Sequence, residues 1–121
     1  MEHILVVDDD RETVRLLKMF LEMDGFRVSQ SPWPDVVLEQ AREETVDAFV
    51  IDCHLAGFDG LDLVRDIRAD ADLASTLIIV TSGKDLKEEA LAGGADVFLL
   101  KPFSPTELSA KLSEMLSDRA G

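Results

Sequence analysis

Five short segments with strand character alternate along the chain with stretches of helical spacing. Four of them are unbroken apolar runs, which are typical of strands buried on both faces of a sheet, and the second alternates polar and apolar residues. The segments are residues 4–7, 26–29, 48–51, 77–80 and 97–100. Because parallel strands need crossover connections, this alternation predicts right-handed βαβ units and one parallel sheet covered by helices on both faces. We therefore expect a single α/β domain over residues 1–121.

Five helical patterns fill the intervals between these strands and the region after the last one. In the first pattern, Val14, Leu17 and Leu21 recur at three- and four-residue spacing. The last pattern has the clearest start, because its first turn has the spacing of a capping box with a proline at the first helical position. The predicted helices are residues 11–23, a segment from Pro34, residues 60–68, residues 86–91 and a segment after Ser104.

Composition excludes several classes of function. The 25 acidic residues outnumber the 12 basic ones, and the formal net charge of −13 disfavours nucleic-acid binding through this domain. The longest apolar runs are too short to cross a bilayer, so we expect no membrane span. The single cysteine, Cys53, excludes an internal disulfide and is compatible with the cytoplasmic location that we predict.

Polar side chains follow the central strands of the predicted sheet where each strand ends. In such sheets, functional groups collect beyond the carboxyl ends of the strands, so carboxylates, hydroxyls and an ammonium group should meet at one edge. Clustered carboxylates repel each other, and a divalent cation relieves that repulsion; a site made only of oxygen ligands suits Mg²⁺. The residues concerned are Asp8, Asp9, Asp10, Asp52, Thr81, Ser82 and Lys101.

Five segments together resemble the motifs of response-regulator receiver domains from two-component systems, including the chemotaxis regulator type. Their order and approximate spacing match, and the resemblance covers nearly the whole chain. It implies a flavodoxin-like doubly wound fold, with a five-stranded parallel sheet of strand order 2-1-3-4-5 and five helices. The segments are Val6-Val7-Asp8-Asp9, Val50-Ile51-Asp52, Phe58-Asp59-Gly60, Val80-Thr81-Ser82 and Phe98-Leu99-Leu100-Lys101-Pro102-Phe103.

The resemblance implies a phosphorylation site at the third strand. Asp52 matches the residue that accepts a phosphoryl group from a histidine kinase or a phosphotransfer protein. Asp8, Asp9 and Asp52 match the carboxylates that hold Mg²⁺, and His54 matches the position whose backbone carbonyl completes the coordination.

The resemblance also implies a conformational response to phosphorylation. Lys101 matches the lysine that bonds the acyl phosphate, and Thr81 matches the hydroxyl that turns towards the phosphoryl oxygens. Phe98 matches the aromatic switch position, and Pro102 follows Lys101 through what is usually a cis bond. The expected protein is a phosphorylatable switch that assists its own phosphotransfer and autodephosphorylation, rather than an enzyme with an external substrate. A homodimer formed on phosphorylation is one expected assembly.

Two other classes of function share parts of this pattern. A Mg²⁺-dependent phosphohydrolase would need a substrate pocket and usually a cap domain, and every loop here is short. A flavodoxin-like electron carrier would need a phosphate-binding loop after the first strand, where this chain has Asp8, Asp9 and Asp10 instead. The kinase, the output and any further domains stay open.

Several nearby residues have ordinary structural interpretations. We expect Asp10 to cap the first helix and Cys53 to pack on the side of the sheet opposite to Asp52. The side chain of His54 is expected in solvent rather than on a transition metal. Ala56 stands where the family usually has proline, which predicts a less rigid loop, and Trp33 is expected to anchor packing.

Overall fold

A computed structural model describes residues 1–31, 33–55 and 57–120. Its strands within that part of the chain are β1 (His3–Val7), β2 (Arg27–Gln30), β3 (Ala48–Asp52), β4 (His54–Leu55), β5 (Phe58–Asp59), β6 (Leu77–Ser82) and β7 (Val97–Leu100). Five of them form a parallel sheet of order β2-β1-β3-β6-β7. Since β6 and β7 are the fourth and fifth strands of that sheet, the predicted order 2-1-3-4-5 is confirmed.

Five α-helices connect and follow the strands, as the sequence predicts. They are α1 (Arg11–Met23), α2 (Val37–Glu44), α3 (Gly60–Ala69), α4 (Lys87–Ala92) and α5 (Pro105–Ala120). The predicted start of the second helix needs a correction, because Pro34 begins a short 3₁₀ turn, Pro34–Val36, and the α-helix starts only at Val37. A proline is suited to such a first turn, since its missing N–H has no partner there in any case.

The strands bury both faces because successive side chains point to opposite sides of the sheet. On β1, Leu5 and Val7 pack towards α2, α3 and α4, whereas Ile4 and Val6 pack towards α1 and α5. The same division continues through β3 and β6, and all of these side chains are nearly inaccessible to solvent. The unbroken apolar runs of the sequence are therefore explained by two cores, one on each face.

Side-chain caps fix the starts of three helices. Asp10 accepts a hydrogen bond from the backbone N–H of Glu12 at 3.1 Å, which confirms its predicted role at α1. Asp59 caps α3 in the same way, through the N–H of Leu61 at 2.9 Å. At α5, the hydroxyl oxygen of Ser104 accepts from the N–H of Glu107 at 3.1 Å, which is the serine half of the predicted capping box.

A small antiparallel hairpin was not predicted from the sequence. Strands β4 and β5 pair through His54 with Asp59 and through Leu55 with Phe58, directly after β3. Strands of two residues are too short to carry a periodic pattern, so sequence reasoning had no signal for them. The position of Ala56, and with it the prediction about the rigidity of its loop, lies outside the described residues.

The side chain of Arg68 joins the end of α3 to the loops that precede β6 and β7. Its guanidinium donates to the carbonyl oxygens of Ala74, Thr76 and Gly94 at 2.9, 2.6 and 2.8 Å, and to the carboxylate of Asp96 at 2.8 Å. Gly94 has φ +116°, and a Cβ there would lie 2.8 Å from Cγ of Arg68. The loop that follows α4 is therefore held close to α3.

Two surface observations complete the fold. Trp33 is 67% exposed, so its interpretation as a packing anchor is wrong. Among the described residues, no helix combines the length and apolar character needed to span a membrane.

Candidate functional site

The alternation of side chains brings polar groups from separate strands to one corner of the sheet. Asp8, Asp52 and Thr81 each lie two positions after a residue that packs towards α1 and α5. Side chains two apart share a face, so all three extend the same side of the sheet at its carboxyl edge. The preceding residues are Val6, Val50 and Ile79.

Three carboxylates converge at this corner. Asp8, Asp9 and Asp52 each place one carboxylate oxygen within 4.8 Å of those of the other two. Asp8 and Asp52 are buried, with exposures of 6% and 7%, while Asp9 is exposed. An all-oxygen cluster with one solvent-facing side has the chemistry that hard divalent cations such as Mg²⁺ prefer, and the residues present fit such an ion.

Lys101 supplies a positive charge to the same cluster. Its Nζ lies 3.5 Å from Oδ2 of Asp8 and 3.4 Å from Oδ2 of Asp52. The lysine follows β7, where its N–H donates to the carbonyl oxygen of Ser82 at 2.7 Å and fixes the start of its side chain. The formal charges of the three carboxylates and of Lys101 sum to −2, which matches in magnitude the charge of a divalent cation.

The environment of Asp8 shows the electrostatic cost of the cluster. Burial raises the pKa of Asp8 above its ordinary value. The N–H of Asp10, which donates to Asp8 at 2.9 Å, and the charge of Lys101 act in the opposite direction, while Asp52 adds to the increase. A cation bound at the cluster would favour the ionised form of this carboxyl group.

The loop after β3 holds Asp52 through its backbone. Oδ1 of Asp52 accepts a hydrogen bond from the N–H of His54 at 3.2 Å, and the N–H of Gly60 donates to the carbonyl oxygen of Cys53 at 2.9 Å. A Cβ at Gly60 would lie only 2.2 Å from the carbonyl oxygen of Asp52, so no other residue fits there without movement. Sequence reasoning used Gly60 as part of a motif but missed this close approach.

The hydroxyl predicted at the end of β6 is also brought to the corner. Thr81 is paired with Asp52 on the adjacent strand, it is buried, and its carbonyl oxygen accepts from the N–H of Cys53 at 2.9 Å. Phe98 does not join this group. It is half-buried on β7 beside Val80, where it packs with Leu86 against the core under α2 to α4.

Two neighbours of Asp52 have the structural positions expected of them. Cys53 packs into the core on the other face of the sheet, and burial raises the pKa of its thiol to about 11, with Asp52 and Asp59 adding to the increase. The side chain of His54 is exposed. Within the described residues, Asp8, Asp9 and Asp52 form the one cluster of three or more side chains that could hold a metal ion, and the side chain of His54 is not a member.

The peptide bond between Lys101 and Pro102, which follows β7, is cis, as expected.

Comparisons with known proteins agree with this geometry. The family model described as "Response regulator receiver domain" matches residues 4–113. Curated relatives include the transcriptional regulatory protein PrrA of Mycobacterium leprae, 35% identical over 96% of this chain and 50% of its own length. Another is the response regulator GtcR of Aneurinibacillus migulanus, 31% identical over 93% of this chain and 47% of its own length. The chain thus spans about half the length of these relatives.

Solved structures share the whole architecture. The receiver domain of the Francisella response regulator 1452 has a TM-score of 0.88 at 28% identity and covers 100% of both chains. The BeF3-activated N-terminal receiver domain of Klebsiella pneumoniae RstA has a TM-score of 0.86 at 29% identity, covering 95% of this chain and 98% of its own. The five-stranded parallel fold is therefore shared with solved receiver domains of response regulators.

Proposed function

Since the chain belongs to the response regulator receiver domain family, we propose that Asp52 is its phospho-acceptor and takes a phosphoryl group from a histidine kinase or a phosphotransfer protein. Receiver domains of two-component systems are phosphorylatable switches rather than classical enzymes, which agrees with the sequence analysis. The observation that supports the assignment best is the position of Asp52, which is buried at the end of β3 between Asp8, Asp9 and the ammonium group of Lys101.

The proposed cofactor is Mg²⁺, held by the carboxylates of Asp8, Asp9 and Asp52 and by the backbone carbonyl of His54. Support comes from the formal charge of −2 that the three carboxylates and Lys101 carry together, and from the oxygen-only chemistry of the cluster. When bound, Mg²⁺ neutralises charge on the phosphoryl oxygens during transfer. The three carboxylates lie close together and Asp9 is exposed, so the phosphoryl donor can approach the cluster from solvent.

The transfer step is a nucleophilic displacement at phosphorus. A carboxylate oxygen of Asp52 forms the new P–O bond as the P–N bond of the phosphohistidine breaks, and the imidazole nitrogen leaves with the bonding electron pair. Lys101 already contacts Asp52 at 3.4 Å, so its ammonium group is in position to donate to the transferred phosphoryl group. Charge-assisted bonds of this kind are stronger than neutral ones.

We assign the conformational response to Thr81 and Phe98. The hydroxyl of Thr81 lies one strand away from Asp52 and gains an anionic acceptor only after phosphorylation. Bonds that exist in one state alone are what a switch needs to shift its population. Phe98 is half-buried beside Leu86, which would let its ring follow a movement of the strand end.

Intact-mass measurement tests the assignment of Asp52. Treatment of the chain with acetyl phosphate and Mg²⁺ should add one phosphoryl group to the wild type and to Asp10→Asn, because asparagine preserves the cap and Asp10 lies outside the carboxylate cluster. Asp52→Asn should gain no mass. An equal gain in Asp52→Asn would show that another residue is the acceptor.

Three further properties belong to the proposal. We propose a cytoplasmic location, a receiver unit that comprises residues 1–121, and a homodimer on phosphorylation. Gel filtration with and without a beryllofluoride mimic of the phosphoryl group tests the dimer. An unchanged elution volume in the presence of the mimic would contradict it.

A further inference from the structure

An open cleft lies beside the carboxylate cluster, between the β4–β5 hairpin and α4. Its volume is about 560 Å³. Asp9 belongs both to this cleft and to the carboxylate cluster, so the two sites are contiguous. The lining residues are Asp9, Cys53, His54, Leu55, Phe58, Asp59, Leu61, Leu86 and Glu89.

The floor of the cleft is apolar and firmly packed. Leu55 and Leu61 are buried, with exposures of 5% and 8%, and Leu86 is half-buried against the same core. Phe58 stands at the side of the cleft and is 39% exposed, although it pairs with Leu55 across the hairpin. An exposed aromatic ring above an apolar floor is a feature of surfaces that bind another protein.

The rim of the cleft is acidic. Asp59 and Glu89 line it together with Asp9, and no lysine or arginine belongs to the described lining. The whole chain carries a net charge of −13, so its long-range field also attracts cationic partners. A bound segment must therefore carry positive charge to be complementary, and it must also carry apolar surface to cover the floor.

We propose that this cleft binds a segment of a partner protein in which an arginine stands beside an aliphatic side chain. Arginine suits the site better than lysine, because a planar guanidinium can stack on an aromatic ring such as that of Phe58 and still donate to a carboxylate of the rim. The neighbouring aliphatic side chain fills the space above Leu55 and Leu61. The proposal does not depend on phosphorylation of Asp52.

A labelled synthetic peptide of alternating leucine and arginine is a suitable probe, with fluorescence anisotropy on the full chain as the measurement. Glu89→Gln should weaken binding about three-fold, the effect of losing an exposed ion pair. Glu88→Gln removes the same charge one residue away, outside the lining, and should leave the affinity nearly unchanged. Phe58→Leu keeps the apolar contact but removes the aromatic ring, and should weaken binding by about the same factor as Glu89→Gln.

Matched peptides separate specific binding from general attraction. Replacing each arginine by citrulline, which keeps the shape but removes the charge, should abolish measurable binding, and replacing it by lysine should weaken binding. Amide shifts on titration should be largest at residues 54–61 and 86–89. Equal effects of Glu88→Gln and Glu89→Gln, equal binding of the citrulline peptide, or shifts centred on another surface would each overturn the proposal.

Discussion

The backbone of Asp52 lies so close to Gly60 that only glycine fits at position 60. A Cβ there would lie 2.2 Å from the carbonyl oxygen of Asp52, so any side chain must displace the loop, α3 or the strand end. The carbonyl belongs to the residue proposed as the acceptor, so such a displacement affects both stability and chemistry.

Gly60→Ala should therefore lower the free energy of unfolding by about 2 kcal/mol or more, in the range typical of steric overlap in a packed region. Phosphorylation of Asp52 by acetyl phosphate should also become slower. Urea unfolding and the rate of mass gain measure the two effects. Gly83→Ala is the matched control, because a Cβ there has no neighbour within 4 Å. Equal stability of the two variants would contradict the steric argument.

Cys53 is the one cysteine of the chain, so the reactivity of the protein towards a thiol reagent reports on this residue alone. Burial raises the pKa of its thiol from 9.0 to about 11, so the thiolate is disfavoured in the folded protein. At pH 8, iodoacetamide should modify the native protein roughly ten-fold or more slowly than the urea-unfolded chain, because reaction requires an exposed thiolate.

The sign of the pH dependence follows from the same shift. A thiol whose pKa is higher in the folded state leaves stability unaffected below about pH 9, and stability falls as the pH rises through about 11. Cys53→Ser should show a smaller loss over that interval in urea unfolding. Native and unfolded chains that react with iodoacetamide at equal rates would show that the thiol is accessible.

The helix α4 lacks a side-chain cap at its start, whereas the loop after its end is held by Arg68. It has six residues, and its N-terminal cap, Leu86, provides no side-chain hydrogen bond. Beyond its C-terminus, Gly94 and Asp96 are held by Arg68. A helix this short depends on its packing for stability. Its start, where the side chain of Asp85 accepts one hydrogen bond from the N–H of Lys87 at 3.3 Å, should open more easily than the end held by Arg68.

A beryllofluoride mimic should therefore slow amide hydrogen exchange more in residues 83–88 than in residues 93–96. Under the proposed switch, the first segment should reorder when Thr81 gains a new acceptor, whereas Arg68 already restrains the second. Arg68→Met should raise exchange in residues 93–96 before any mimic is added. Hydrogen exchange followed by mass spectrometry resolves both segments. Protection confined to α1 or α2 would mean that the response uses another face of the protein.

The elements differ in how far their sequences predict them. Unbroken apolar runs located four strands of the main sheet within two residues, because strands buried on both faces leave that signature, and an alternating pattern located β2 as closely. The caps at Asp10 and Ser104 were predictable because they use local bonds. The contact of Gly60 with Asp52 and the exposure of Trp33 depend on tertiary structure, and local patterns do not report it.

At the scale of the molecule, the proposed metal binding at the carboxylate cluster would be linked to folding. The cluster forms only when β1 and β3 are side by side, since Asp8 and Asp9 come from one strand end and Asp52 from the other. An ion that binds the folded chain alone stabilises it by mass action, by about 2.7 kcal/mol at a concentration one hundred times the dissociation constant.

Thermal melts with added Mg²⁺ should therefore show a midpoint that rises with concentration, while NaCl at the same ionic strength should not reproduce the effect. Asp9→Ala should lose Mg²⁺ affinity at least about ten-fold, since even outer contacts of metal sites have effects of that size. The same variant should melt at a higher temperature than the wild type without metal, because one of three crowded carboxylates is gone. Calorimetric titration measures the affinity, and an unchanged value would mean that the acidic cluster is only surface charge.

Asp52 on β3 pairs with Thr81 on β6, so the site forms only when these two strands are in the correct register. A slip of β3 by one residue moves the chain by about 3.3 Å and turns every side chain to the opposite face. The position of Asp52 would then be taken by Ile51 or Cys53, neither of which can accept a stable phosphoryl group or bind Mg²⁺ as a carboxylate does. Side-chain size opposes such a slip, because it would place the large ring of Phe49 where Ala48 or Val50 now packs in the opposite core. The packing of the two cores therefore selects the strand alignment in which the proposed site can form.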